Sequence, residues 1–316
     1  MSGIRRIQLL AAAGVLLAGL LGGCSLDTMD SGKAPGTSWF TGQDGGNGPV
    51  LAVKVDNVRA ARPHSGLGSA DIVYVEQVEA GLTRLLAVYS SRLPDVVGPV
   101  RSARESDLEL LRQFGRPALA YSGAQSKLLP LIHSAPLAEV KASSKAYYRG
   151  GNRPAPHNLF LRPKRALDAA EGAGDARDIG FRFGGAPKKG GRAVAEERVR
   201  FPAAGYAFTW SKADGRWLVS MDGAPARTTD DGRVTAATVV IQKVKVRQSR
   251  FHDRGGNVTP YSETTGAGTA VVLRGGRAYD ARWSRPSDGR GTTYKTKGGA
   301  RLRFAPGPVW VVLAPR

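Results

Sequence analysis

The segment GPVRSAR at residues 98–104 places two arginines, Arg101 and Arg104, beside a run of helical periodicity. Ser102 and Glu105 have the spacing of a capping box, so we predict that this helix begins at Ser102. Cations are unfavourable next to the positive end of a helix dipole unless an anion joins them. Guanidinium groups and backbone N–H groups together bind phosphate or carboxylate groups. The spacing therefore predicts an anion site.

Other polar side chains between residues 56 and 107 supply possible partners for these arginines, and two interpretations stay open. In the first, an external anion binds and the acidic side chains orient the arginines. In the second, the anion is internal, and Asp71, Glu76 or Glu79 pairs with an arginine in a structural network. The candidate ligand-binding residues are Arg84, Arg101, Arg104, Asp56, Asn57, Asp71, Glu76, Glu79, His157 and Asn158.

The same carboxylates allow an alternative function, the hydrolysis of cell wall or another glycan. Such enzymes use two carboxyl groups about 5–9.5 Å apart. Glu76 and Glu79 are three positions apart on a predicted strand, so their side chains point to opposite faces, which counts against them as a pair. Asp56, Asp71 and His157 are further candidates. We predict a binding protein, keep the hydrolase as the alternative, and leave open whether the protein is an enzyme.

The residue inventory excludes several kinds of site. The chain has one cysteine, Cys24, which leaves no intramolecular disulfide and no multi-cysteine zinc or iron–sulfur site. The four histidines are scattered. Motifs of serine hydrolases, zinc proteases, P-loop proteins and EF hands are missing from the sequence. Asp56 and Asn57 alone are far below a cation-binding motif, so we predict no metal and no cofactor.

The first 24 residues are typical of a lipoprotein signal. Two arginines precede an uncharged apolar run that is too short for an ordinary membrane span. The sequence LGGC at 21–24 resembles a bacterial lipobox, in which the cysteine is diacylated and the preceding peptide is removed. We predict a signal peptide over 1–23, lipidation of Cys24 and a flexible tether over 24–49. These features predict anchoring at the extracytoplasmic face of the bacterial cell membrane.

The patterns in the rest of the chain predict two domains. Residues 50–185 mix strand and helix signals, including a hairpin over 71–90, which favours an α/β or α+β fold. Residues 195–316 have almost no helical periodicity and several Asp-Gly turns, which favours a mostly β domain. We predict its strands at 206–210, 216–221, 238–246, 269–273, 300–304 and 309–313.

Positive charge is concentrated in the second domain. The chain has a formal net charge of +20, and its distribution is +3 over residues 24–180 and +15 over residues 181–316. A Gly-rich basic stretch at 184–192 marks the predicted domain boundary. Nucleic acid is rarely met outside the cell. The predicted partners are therefore the membrane through Cys24, and an anionic lipid, an anionic wall polymer or another envelope protein.

The chain resembles the YerB-like bacterial lipoproteins, a family built from two domains of unknown function (family 3048). The resemblance covers nearly all of the chain after the tether and implies an extracytoplasmic two-domain lipoprotein without an established reaction. It also implies that the family pattern is concentrated at residues 56–57 and 98–104. The matching segments are VKVDN (53–57), ARPHSGL (61–67), ADIVY (70–74), VEAGLTR (78–84), GPVRSAR (98–104), PHNL (156–159), GAGTA (266–270), ARW (281–283) and PGPVWV (306–311).

Overall fold

The structure, a computed structural model, describes residue 33 and residues 35–150, 152–187, 189–230, 232–253 and 255–316. The predicted signal peptide and Cys24 lie outside these residues. The first region mixes strands with short helices, as predicted. Its elements are β1 (Leu51–Val55), β2 (Ile72–Gln77), β3 (Thr83–Tyr89), α1 (Glu105–Leu111), β4 (Ala118–Ala120), α2 (Leu129–Ser134), β5 (Ala138–Glu139), β6 (Tyr147–Arg149), β7 (Leu159–Leu161) and α3 (Pro163–Ala169).

The second region consists mainly of strands, which confirms the predicted fold class. Four short 3-10 turns lie in the first region, at Arg59–Ala61, Leu67–Ser69, Glu79–Gly81 and Arg112–Phe114. No helix in the part of the chain that the structure describes is long and apolar enough to cross a membrane. The strands of the second region are β8 (Arg192–Ala193), β9 (Glu196–Phe201), β10 (Ala204–Ser211), β11 (Arg216–Met221), β12 (Ala224–Pro225), β13 (Arg227–Thr228), β14 (Gly232–Arg233), β15 (Thr235–Ala236), β16 (Thr238–Val244), β17 (Val246–His252), β18 (Val258–Ser262), β19 (Gly266–Arg274), β20 (Arg277–Arg285), β21 (Thr293–Thr296) and β22 (Val309–Pro315).

Strands from both regions form one 11-stranded sheet with the order β21-β20-β19-β16-β22-β2-β3-β1-β4-β5, and β8 pairs with β20. The last strand, β22, joins the two regions because it runs parallel to both β16 and β2. A smaller sheet has the order β12-β11-β10-β9, with β15 beside β11. Residues Gly32–Arg316 consequently form one compact unit.

Both faces of the central sheet are covered, so β22 is an almost continuous apolar run. Val309, Val311 and Leu313 pack on the face that also buries side chains of α1 and α2. Trp310 and Val312 pack on the opposite face, against side chains of the small sheet. This arrangement leaves the polar ends of β1, β2 and β3 as the place where functional side chains collect.

The predicted tether is packed over its last part, which corrects the expectation of a flexible segment up to residue 49. Phe40 is fully buried, and its ring makes an edge-on contact with Phe114 at 5.4 Å between centroids. The Asn47 side chain accepts a hydrogen bond from the Trp39 N–H at 2.8 Å and donates to the Thr37 carbonyl at 2.9 Å. Two aromatic side chains therefore fix a stretch whose Gly-rich composition predicted mobility.

Two local predictions were wrong. Helix α1 begins at Glu105 instead of Ser102, because the Asp107 carboxylate accepts a hydrogen bond from the Arg104 N–H at 2.6 Å and so caps the first turn. Residues 300–304 do not form a strand but only isolated bridges at Arg301 and Phe304.

Candidate functional site

Backbone pairing at the end of β1 brings most of the predicted site residues together. The Arg101 N–H donates to the Lys54 carbonyl at 2.7 Å, so the segment 98–104 runs beside the end of β1. The β2–β3 hairpin is paired with β1 through β3. Its Arg84 side chain crosses to the same segment and donates to the Ser102 carbonyl at 2.9 Å.

Arg104 is neutralised by an internal carboxylate. Its guanidinium makes a two-pronged contact with Glu79, with Nε–Oε1 and Nη2–Oε2 distances of 2.6 and 2.8 Å. Thr259 on β18 donates to the same carboxylate at 2.5 Å. Burial raises the pKa of Glu79, but hydrogen bonding and attraction from Arg104 outweigh it, so the pKa lies below its ordinary value. For this arginine the structural interpretation holds, since both charges are nearly buried.

Arg101 is held more loosely, through a carboxylate that it shares with a histidine. Its Nε atom is 3.3 Å from Asp56 Oδ2, and the side chain is 28% exposed. The His157 Nδ1–H donates to the same Oδ2 atom at 2.8 Å. Asp56 itself is buried. The two Nη groups of Arg101 make no hydrogen bond to a described residue, so they are available to a ligand.

Arg84 has no carboxylate partner among the described residues, although it is half-buried. Burial is the main reason why the pKa of Arg84 is lowered to about 10. Repulsion from Arg104 and Arg101 lowers it further, whereas attraction by Glu79 opposes the change. The side chain therefore stays charged at neutral pH, with only a backbone carbonyl as a hydrogen-bond partner. A partly desolvated cation of this kind is an electrostatic cost that an anion relieves.

A cleft of about 1020 Å³ opens beside these residues. Four arginines line it and define what we call the arginine cleft: Arg84, Arg101, Arg104 and Arg149. Its acidic side chains already have partners. Glu79 is bound to Arg104, Glu105 accepts from the Ser249 hydroxyl at 2.5 Å, and Asp253 accepts from Asn257. Serine and asparagine are uncharged, so Glu105 and Asp253 keep their negative charges, and the lining carries four arginines against three carboxylates, a small positive excess.

Residues with unpaired backbone N–H groups line the same cleft. None of the N–H groups of Ser102, Gly123, Ala124, Gln125 and Ser126, all in residues that line it, donates to another described residue. Successive free N–H groups form concave sites that bind anions. The loop after β4 therefore lines the cleft with residues whose N–H groups have no partner among the described residues.

Asn158 reaches the arginine cleft indirectly, and Asn57 and Asp71 do not reach it. Asn158 Oδ1 accepts from Arg149 at 2.6 Å and so orients that arginine. Asn57 donates to the hydroxyls of Thr83 and Tyr206 and joins the first region to the small sheet. Asp71 accepts from the N–H groups of Ser90 and Ser91 and from the Ser91 hydroxyl. Burial raises its pKa although these bonds oppose the change.

Glu76 belongs to a buried charge cluster below the site. Its Oε2 accepts from Lys54 Nζ at 2.8 Å, and Lys54 also donates to Asp107 Oδ1 at 2.6 Å. All three side chains are at most 1% exposed. Burial, followed by repulsion from Asp107, raises the pKa of Glu76 to about 7 despite the attraction of Lys54. A proton on Glu76 makes the cluster neutral, with one lysine and one aspartate charged.

Replacing Glu76 by glutamine is expected to reduce the pH dependence of stability. The folded protein holds a proton on Glu76 between about pH 4.5 and 7, so wild-type stability falls as the pH rises through this range. The glutamine side chain does not ionise, so the variant does not lose this stability as the pH rises. We expect it to be more stable than the wild type by about 1–3 kcal/mol near pH 8, with a gap that narrows towards pH 5. Urea unfolding across this range measures the gap, and a gap that is independent of pH contradicts the assignment.

The geometry gives no support to the hydrolase. Glu79 is locked to Arg104, Asp56 is shared by Arg101 and His157, and Glu76 is buried against Lys54. None of these carboxylates faces another across the open cleft, which acid–base cleavage of a glycan requires. Their common property is that each compensates a cation.

Sequence reasoning missed three contributors to the site: Lys54, Asp107 and Arg149. Lys54 lies on an apolar strand whose other residues are all buried, and a lysine in such a run is a signal for a buried ion pair. The capping-box spacing pointed to Glu105, whereas the side chain that caps the helix is that of Asp107. Nothing in the spacing of Arg149, 48 residues after Arg101, indicates that it shares a cleft with that arginine.

Comparisons with known proteins agree with this architecture. Family descriptions for a protein of unknown function (DUF3048) match residues 38–176 with the N-terminal domain and residues 198–311 with the C-terminal domain. The chain is 28% identical over 302 residues to the "Putative lipoprotein YerB" of Bacillus subtilis (strain 168). The aligned region covers 92% of this chain and 88% of that protein. The crystal structure of the YerB protein from Bacillus subtilis matches with a TM-score of 0.73 and 25% identity, over 90% of this chain and 97% of that one.

The matched regions contain the parts from which the site is built. Segment 98–104, the β2–β3 hairpin and the loop after β4 lie in the first match, and Thr259 lies in the second. The same two matches supply strands to both halves of the central sheet. This chain therefore belongs to the DUF3048 family of proteins of unknown function.

Proposed function

We propose that this protein is a lipid-anchored protein of the cell envelope that binds an anionic group in the arginine cleft. The observation that carries the proposal is Arg84, a half-buried guanidinium that faces the cleft without a carboxylate partner among the described residues. Arg101 adds two free Nη groups beside it. The paired Arg104 acts as part of the frame and not as a ligand-binding group.

The chemistry of the donors favours a phosphate or carboxylate group as ligand. Guanidinium forks bind both with two parallel hydrogen bonds, and the free N–H groups after β4 add further donors. A volume of about 1020 Å³ accommodates a segment of a larger molecule. The partners we propose are anionic components of the envelope, which a protein anchored through Cys24 encounters at the extracytoplasmic face of the membrane.

The double variant Arg84→Gln/Arg101→Gln tests the site. Glutamine at position 84 removes the charge but is too short to reach the Ser102 carbonyl, so one hydrogen bond is lost while the fold is expected to persist. Each lost charge-assisted hydrogen bond costs about 1.5–3 kcal/mol, so we expect binding to fall by about 10–100-fold or more. Co-sedimentation of the chain from residue 25 with wall sacculi, and competition by inorganic pyrophosphate, measure the effect.

Arg200→Gln/Lys212→Gln is the matched control. It removes the same charge from two exposed positions, one on β9 and one in the turn between β10 and β11, and is expected to bind like the wild type. Loss of binding only in the cleft variant, with an unchanged thermal midpoint, supports the proposal. Equal binding by the cleft variant and the wild type contradicts it, as does a wild type that binds neither sacculi nor pyrophosphate.

A further inference from the structure

The β21 edge of the central sheet carries basic side chains at facing positions. Arg282 on β20 pairs with Lys295 on β21, and Lys295 forms a bridge with Arg301. All three residues are exposed. Paired residues share one face of a sheet and neighbouring strands are about 4.8 Å apart, so these side chains form a line about 10 Å long.

Lys243 extends this line on β16. Thr269 on β19 pairs with Arg282, and the residue after it, Ala270, pairs with Gln242. Lys243 therefore lies beside Thr269 and points to the same face as Arg282. Lys243 is exposed, whereas the next residue, Val244, is buried on the opposite face. We call Lys243, Arg282, Lys295 and Arg301 the basic row.

The neighbouring acidic side chain does not neutralise Arg282 or Lys295. Asp280, two positions before Arg282 on β20, is bound by Lys297 at 2.8 Å. The side chains of Arg282 and Lys295 make no ion pair or hydrogen bond with any residue that the structure describes. Like charges at facing positions of adjacent strands destabilise a sheet. The facing pair Arg282 and Lys295 is therefore a local electrostatic cost that an external anionic surface offsets.

The position at which the chain enters the folded body indicates that this anionic surface is the membrane. The start of the packed body lies against Phe183, since a Cβ at Gly42 would be 2.3 Å from the Phe183 ring. Phe183 forms a bridge with Phe304, three residues after Arg301. About ten residues separate Cys24 from this body, and they span at most about 40 Å. The proposed lipid anchor thus holds the edge with the basic row within reach of the membrane.

We propose that the basic row docks the protein onto anionic lipid headgroups. The proposal uses the lipid anchor of the proposed function but is independent of the arginine cleft. Each basic side chain near an anionic membrane contributes about 1 kcal/mol, and the effect is screened by salt. The basic row therefore orients the anchored protein on the membrane. The proposed lipid on Cys24 provides the stable attachment.

The test measures binding of the chain from residue 25 to vesicles of phosphatidylglycerol and phosphatidylcholine, and to phosphatidylcholine alone. The core lies within Gly32–Arg316, so this chain contains the complete fold. We expect binding only to the anionic vesicles, with a loss on adding salt. Arg282→Gln/Lys295→Gln is expected to weaken it by about 10–30-fold, since two charges are removed. Arg200→Gln/Lys212→Gln is the control of equal charge and is expected to change it less than about threefold.

The outcomes separate this proposal from the arginine cleft. Arg84→Gln/Arg101→Gln is expected to bind vesicles like the wild type, and Arg282→Gln/Lys295→Gln is expected to keep the interaction with pyrophosphate. Equal losses in the basic-row variant and the control overturn docking by the row, because net charge then explains the binding. Binding to sacculi through the basic row without binding to vesicles also overturns it and assigns the row to a wall polymer.

Discussion

Replacing Lys54 by methionine is expected to cost about 3–5 kcal/mol of folding free energy at neutral pH. Lys54 is fully buried and is the cation between Glu76 and Asp107, at 2.8 and 2.6 Å. Methionine fills a similar volume but leaves the two carboxyl groups without a counter-charge. Asp107 also caps helix α1 through the Arg104 N–H, so the damage spreads to the segment that carries Arg101 and Arg104.

Urea unfolding followed by tryptophan fluorescence measures this loss. We expect it to shrink at acidic pH, where the Glu76 carboxyl group accepts a proton, and to shrink also in the double variant Lys54→Met/Glu76→Gln. Lys212→Met, at an exposed position, is the control and is expected to stay within about 0.5 kcal/mol of the wild type. A Lys54 variant as stable as this control rules out an energetic role for the buried cluster.

Arg104→Ala is expected to destabilise the protein by about 2–4 kcal/mol, whereas Arg101→Ala is expected to cost at most about 1 kcal/mol. The reason is the difference in their partners. Arg104 is 12% exposed and holds the nearly buried Glu79 with two hydrogen bonds. Arg101 is 28% exposed and makes one contact of 3.3 Å. Removing Arg104 leaves the nearly buried Glu79 carboxylate without a counter-charge and with Thr259 as its remaining side-chain donor.

The two arginines are thus expected to separate into a structural and a ligand-binding residue. Thermal unfolding of both alanine variants gives the stability difference, and Arg104→Ala is expected to recover stability when Glu79→Gln is added. Similar losses in both variants contradict the separation. So does the absence of recovery in the double variant, because the stranded carboxylate is the stated cause.

Local sequence patterns are sufficient to predict the fold class and the hairpin of this protein. The apolar runs at 71–90, interrupted by Ala80-Gly81, form the antiparallel pair β2–β3 with its turn at Glu79–Gly81. Strand β20 was not predicted, because its alternating Arg, Asp and Ser residues look like a polar loop. Its buried positions, such as Tyr279 and Trp283, become apparent only when β19 and β21 lie on both sides.

The sequence by itself determined that arginines and carboxylates gather in the first region and that Arg101 and Arg104 lie beside a helix. Residue type and spacing suffice for that, because capping and periodicity are local. It left open which charges neutralise each other, and tertiary structure decided this. Glu79 meets Arg104 from the turn of the β2–β3 hairpin, and Asp56 meets His157 across 101 positions. Arg84 keeps no carboxylate partner among the described residues, since the energy of a charge depends on what folding brings within a few ångströms.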